Sequence, residues 1–198
     1  MSEPRTARIS RSTKETSIEL EVNLDGTGTV EVSTGIGFYD HMLHQLGKHG
    51  MFDLKIKVQG DLWIDGHHTM EDTAIALGQA FDQALGDRRG VRRYADRMVP
   101  LDESLSRAVV DLSGRPYLVY TAPENIAPMI GEFDTTLIEH IWESFAHNAR
   151  MTLHVDTLRG RNAHHIVESQ YKAVARALRD AVSLDEKETG IPSTKGLL

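Results

Sequence analysis

Between residues 18 and 24 every second position is apolar. Ile18, Leu20, Val22 and Leu24 alternate with polar neighbours, the period of a strand with one buried face. Asp25-Gly26 then reads as a turn, and Val30 and Val32 open a second strand, which predicts a hairpin-like pair. Much later, Val109-Val110-Asp111-Leu112 and Tyr117-Leu118-Val119-Tyr120 flank Ser113-Gly114-Arg115-Pro116, a second hairpin signature. Residues 51–58 and 151–155 predict strands that each follow a helix. After each strand the period lengthens. Ala74, Leu77, Gly78, Phe81 and Leu85 recur at helical spacing, with Glu71 and Asp72 in the first turn, where the helix dipole favours acids, and Gly86 placed to stop the helix. Val167, Tyr171, Val174, Ala175 and Leu178 predict another long helix, to about residue 182.

The two passages are one pattern written twice. With Asp40-His41 set against Glu139-His140, Met42, Leu43 and Leu46 fall opposite Ile141, Trp142 and Phe145, and Phe52, Leu54 and Ile56 opposite Met151, Leu153 and Val155. Further on, His67-His68-Thr69-Met70-Glu71 meets His164-His165-Ile166-Val167-Glu168. Each half reads strand, strand, helix, strand, helix. The order implies an α+β fold: a duplicated half-domain with antiparallel sheets and helices gathered on one face. The first half-repeat is placed at 1–94 and the second, with a C-terminal tail, at 95–198. The boundary falls near 93–101, where Pro100 interrupts. The tail from Thr189 to Leu198 has no periodicity and predicts a loop.

Composition narrows the chemistry. The 198 residues include no cysteine, so disulfides, thiolate metal sites and a thiol nucleophile are excluded. A net charge of −7 gives no support to a nucleic-acid or anionic-membrane partner. No run is long and apolar enough for a membrane span, and residues 1–11 lack the apolar centre of a secretory signal, so the cytoplasm is the expected location. The ten histidines are the unusual number, and they gather in 41–68 and 140–165.

On a helix, residues three and four apart share a face, so Glu71 can lie beside either His67 or His68. Adjacent histidines point about 100° apart on a helix and are poorly placed to share one ion. The simplest arrangement gives each histidine of a pair to a different ion, and the same holds for His164, His165 and Glu168. With His41 and His140 the chain offers six imidazoles and two carboxylates, enough for two sites of three nitrogens and one oxygen. Imidazole with carboxylate suits zinc, manganese, iron, cobalt or nickel, and ligand softness does not choose among them. A single His-x-x-x-Glu is ordinarily a solvated pair, but its doubling together with the acid–histidine dipeptide argues for metal. His44, His147 and His154 read as helix-surface or strand residues.

Motifs along nearly the whole chain resemble one family. They include Phe38-Tyr39-Asp40-His41-Met42-Leu43, His49-Gly50, Gly60-Asp61, His67-His68-Thr69-x-Glu71-Asp72, Pro100-Leu101-Asp102-Glu103, Asp111-Leu112-Ser113-Gly114-Arg115-Pro116, His164-His165-x-x-Glu168 and Pro192-Ser193-Thr194-Lys195-Gly196. In this order they look like imidazoleglycerol-phosphate dehydratase. The resemblance implies a fold related to the second domain of ribosomal protein S5, and a particle of twenty-four subunits with active sites at the interfaces. It implies two manganese ions per active site, held by His41, His67, His68, Glu71, His140, His164, His165 and Glu168. Substrate contacts carried over in the same way are Glu15, Gln45, His49, Arg93, Arg115, Lys172, Ser193, Thr194 and Lys195.

The implied reaction dehydrates imidazole glycerol phosphate to imidazole acetol phosphate in histidine biosynthesis. Two ions at the ring nitrogens would stabilise an imidazolate, which expels the neighbouring hydroxyl through a diazafulvene-like intermediate. Glu15 is the acid/base candidate, and the arginines and lysines suit a phosphate ester. The donor set also admits a two-metal hydrolase or a metal-storing shell. Ion spacing would separate the first from a dehydratase, and turnover the second.

Overall fold

The computed structural model describes residues 3–198. The chain runs β1 (Thr6–Ser12), β2 (Thr16–Asn23), β3 (Val30–Ser33), α1 (Gly37–Gly50), β4 (Asp53–Gly60) and α2 (His67–Leu85), then β5 (Tyr94–Leu101), β6 (Ser104–Asp111) and β7 (Tyr117–Thr121). A small pair, β8 (Met129–Ile130) and β9 (Phe133–Asp134), and a 3-10 turn (Thr135–Leu137) lead into α3 (Ile138–Asn148), β10 (Thr152–Arg159) and α4 (Ala163–Val182). The α+β duplication is present. Two four-stranded sheets, ordered β1-β2-β4-β3 and β5-β6-β10-β7, repeat one topology.

Two details differ from the sequence expectation. Each sheet has an extra edge strand, β1 or β5. β1 lacks a strong apolar row because its inner positions are Ala7, Ile9 and Arg11, and Arg11 Nη1 lies 2.6 Å from Asp72 Oδ2 on α2. β5 contains Pro100, which an edge strand tolerates because one side of its ladder is unpaired. The expected hairpins also do not form. β3 and β7 run parallel to β4 and β10, and those later strands insert between the members of each expected pair. The Asp25-Gly26 and Ser113-Gly114 turns reverse the chain without setting which strand it meets.

The helices of each half cover their own sheet and then face the helices of the other half. α1 packs on α4, and α2 on α3. Along α1 the buried Tyr39, Met42, Leu43 and Leu46 recur at helical spacing. An aromatic chain crosses between halves: Phe52 against Phe81, Phe81 against Phe145, Phe145 against Trp142, and Trp142 against Tyr171, with ring centroids 4.4–6.2 Å apart. All five rings are buried, and such pairs contribute about 0.5–1.5 kcal/mol each beyond their area. The tail beyond α4 lies over the start of the second sheet. Gly90 N–H donates to the Gly190 carbonyl (2.8 Å), and the Arg93 guanidinium to the Pro192 carbonyl (2.7 Å).

Gly78 sets how closely α2 and α3 approach. A Cβ there would stand 2.6 Å from the Phe145 carbonyl oxygen and 2.8 Å from Asn148 Cβ. Gly78→Ala would gain about 1 kcal/mol of helix propensity, yet overpacking costs roughly 1–3 kcal/mol. The expected result is a lower thermal midpoint for the metal-free chain, by a few degrees. A raised midpoint would contradict the close approach.

Candidate functional site

The packing of α1 on α4 carries His41 from the first half to the start of α4. There His41 Nε2 lies 3.0 Å and His164 Nε2 2.9 Å from Glu168 Oε2. The other carboxylate oxygen, Oε1, is 2.6 Å from Lys172 Nζ. Burial pushes the Glu168 carboxyl upward, but the hydrogen bonds from Lys172, His41 and His164 prevail and hold it at about 2. Phe38 packs edge-on to the His164 ring at 5.0 Å. Asp40, the acid beside His41, is structural. Its Oδ1 accepts from Thr34 N–H (2.8 Å) and Thr34 Oγ1 (2.6 Å), fixing the chain that enters α1.

The packing of α2 on α3 makes the matching set. His140 Nε2 lies 3.1 Å from Glu71 Oε1, and His67 Nε2 lies 3.7 Å from Glu71 Oε2. In each set the three ligand atoms fall within 4.8 Å of one another.

The donors fit a cation. They are nitrogen and oxygen only, and ligands about 2.1 Å from an ion at right angles to each other stand about 3 Å apart. The first set has that spacing already. In the second, His140 Nε2 is buried and makes no hydrogen bond, although Glu71 Oε1 is near. A buried imidazole nitrogen without a partner is what an absent ligand would leave.

His68 and His165 stand apart from both sets. His68 Nδ1 is 2.9 Å from Asp61 Oδ2, and its Nε2 is 3.8 Å from Glu15 Oε1. His165 Nδ1 is 2.7 Å from Glu103 Oε2, and its Nε2 is 3.9 Å from Asp102 Oδ2. Hydrogen bonds from His165 and from the Asn162 and Arg161 N–H groups hold the Glu103 carboxyl at about 2. One chain therefore gathers six of the eight expected ligands, as two sets of two nitrogens and one oxygen.

The expected substrate contacts divide. Gln45 Nε2 is 3.5 Å from His41 Nδ1. Burial and the charges of Lys172 and Arg176 push the His49 imidazolium down, so His49 and Lys172 belong to the same neighbourhood. Glu15, half exposed on the β1–β2 turn, belongs with His68. Arg93, Arg115, Ser193, Thr194 and Lys195 line a different cavity of about 530 Å³, together with Arg150. Asp111 organises it, with Arg93 Nε at 2.7 Å and Arg115 Nη2 at 3.7 Å. Arg93 N–H donates to the Ala181 carbonyl near the end of α4, whereas His164 is at its start. At 1.5 Å per residue the cavity is about 25 Å along the helix from the metal set.

Sequence reading gave no role to Asp61, Glu103, Asp111 or Arg150. Asp61 has Gly160 at the equivalent place in the second half, and Glu103 lies outside the stretch that the histidine register aligns. Arg150 follows α3 in a loop with φ of 50°, where no pattern marks it.

The sequence model of the family described as Imidazoleglycerol-phosphate dehydratase matches residues 34–178. Curated relatives of that name are 63% identical in Thermobifida fusca and 64% identical in Streptomyces avermitilis, each over 195 residues. Each alignment covers 98% of this chain and 99% of the relative. The solved Staphylococcus aureus imidazoleglycerol-phosphate dehydratase superimposes with a TM-score of 0.82 at 36% identity, covering 91% of this chain and 99% of that one. IGPD from Pyrococcus furiosus, in complex with (S)-C348, gives 0.82 at 34% identity, covering 96% and 100%. On sequence over almost its whole length, and on fold, the chain belongs to the imidazoleglycerol-phosphate dehydratase family.

Proposed function

We propose that the protein removes water from D-erythro-imidazole glycerol phosphate to give imidazole acetol phosphate, using two manganese ions per active site. The catalytic centres are put together from more than one copy of the chain, in a particle of twenty-four that works in the cytoplasm. Family membership gives the coarser part outright: the chain is a lyase for the dehydration step of histidine biosynthesis. Among the described residues no helix is long and apolar enough to cross a membrane.

The observation that carries the metal reading is the pair of matching three-donor sets, each drawn from both halves of the chain. His41, His164 and Glu168 would hold one ion, and His67, Glu71 and His140 the other. His68 and His165, which lie outside both sets, would complete sets on neighbouring copies. Ions held there would supply Lewis acidity to the imidazole ring of the substrate, the chemistry that the dehydration needs.

The chain's own groups then bind, orient and move protons. Arg93, Arg115 and Lys195, with Ser193 and Thr194, grip the phosphate, the two arginines offering planar forks to its oxygens. An imidazole, three carbons and a phosphate span under about 10 Å at bond lengths near 1.5 Å. The cavity and the His41–His164–Glu168 set of one chain lie too far apart to share one such molecule, and the centre is assigned to several copies for that reason. Glu15, on the turn beside His68, protonates the departing hydroxyl and takes the proton from the adjacent carbon. Lys172 keeps Glu168 ionised, and Gln45 and His49 contact the substrate beside His41.

Three outcomes follow. Glu71→Gln and Glu168→Gln should each weaken manganese uptake by more than the roughly 10–100-fold that loss of a supporting group costs, read by titrating metal-free protein. Unaltered occupancy in both variants would remove the ligand assignment. Glu15→Gln should bind substrate while turnover falls about 10²–10⁴-fold, and full activity would take Glu15 out of the reaction. His164→Ala and Arg115→Ala chains, each inactive alone, should regain up to about a quarter of wild-type activity when assembled together, because a shared centre can draw one intact part from each. No recovery in mixed particles would place the whole centre within one chain.

A further inference from the structure

The two histidines outside the three-donor sets share one device. Each gives its Nδ1 to a carboxylate at short range, His68 to Asp61 at 2.9 Å and His165 to Glu103 at 2.7 Å. An ionised carboxylate can only accept, so the ring must carry its hydrogen on Nδ1. That tautomer leaves the Nε2 lone pair free, and in both rings Nε2 points away toward looser neighbours.

The carboxylates come from places that are not equivalent in the duplicated chain. β4 aligns with β10, which puts Gly160 where the first half has Asp61. β2 aligns with β6, which puts Glu15 where the second half has Glu103. The second half orients its histidine from the turn before its second strand. The first half uses the residue after β4 instead, and the turn glutamate, Glu15, is left facing Nε2. The same contact has thus been built twice from different elements, which inheritance from one ancestral half does not explain.

Asp61 is an expensive way to hold a ring. It is 3% exposed, and its Oδ1 is buried without a hydrogen-bond partner among the described residues. Burying such a group costs free energy unless something is gained, and its one polar side-chain contact is His68. Glu103 also accepts from the N–H groups of Arg161 and Asn162, the residues that open α4, so it ties His165 to the helix start.

We propose that Asp61 and Glu103 are positioning residues that fix the tautomer and direction of His68 and His165, so that each presents Nε2 as a metal ligand. This rests on the metal reading above. It also accounts for Glu15: with Asp61 doing the orienting, the turn glutamate of the first half is free for proton transfer.

The test is titration of folded, metal-free protein with manganese, following free ion by electron paramagnetic resonance, with circular dichroism to confirm the fold. Asp61→Ala and Glu103→Ala should each lose about 10–100-fold in affinity at one class of site and leave the other unchanged. In a His68→Ala background, Asp61→Ala should cost nothing further, and likewise Glu103→Ala in a His165→Ala background, since a positioning residue acts only through its histidine. Should Asp61→Ala fail to fold, Asp61→Asn, which keeps the shape and one acceptor, should show a smaller loss with the same dependence on His68. Wild-type affinity in the variants, or an equal loss with and without the histidine, overturns the assignment alone. Wild-type protein that takes up no manganese overturns the metal reading, and this assignment with it.

Discussion

The packing of each half's helices against the other's is the constraint on which the molecule depends. His41 and Glu168 lie 127 residues apart in sequence, and His140 and Glu71 lie 69 apart. Neither pair can meet unless α1 lies along α4 and α2 along α3. The aromatic chain from Phe52 to Tyr171 and the absent side chain of Gly78 hold that packing close. Neither half alone carries a complete donor set. Anything that parts the halves separates the donors as well, so binding of an ion there would be coupled to folding through one interface.

The same arrangement accounts for the charge state of the site. Glu168 is partly withdrawn from water, yet it stays anionic because Lys172 takes one oxygen and two imidazoles take the other. The cavity lined by Arg93, Arg115 and Lys195 sits at the opposite end of α4, under a tail pinned by Arg93 to Pro192. The long α4 therefore carries a nitrogen–oxygen donor set at its start and a cationic pocket near its end, and the proposed centre draws on more than one copy for that reason.

Much of this was legible in the sequence, and the reason is duplication. One His-x-x-x-Glu carries little information. Two copies in register with His41 and His140 single out eight residues, of which the fold gathers six. The inner strands and the four helices were legible because each buries one regular row. β1 and β5 were not, since edge strands with Arg11 or Pro100 show no clean alternation. Strand order was hidden too, because turn residues such as Asp25-Gly26 signal reversal and not the partner strand. Asp61 escaped because the second half has Gly160 at the matching position, and Glu103 because the register set by the histidines does not carry back to β2 and β6, where its counterpart is Glu15. The separation of the metal sets from Arg93 and Arg115 depends on which end of α4 each meets, which spacing along the chain does not encode.

The central claim is that each ion is caged by donors from both halves of the chain. Anomalous diffraction from manganese-loaded crystals tests it most directly. The account predicts two peaks per chain, one among His41, His164 and Glu168 and the other among His67, Glu71 and His140. A single peak per chain, or peaks lying away from both sets, would contradict it.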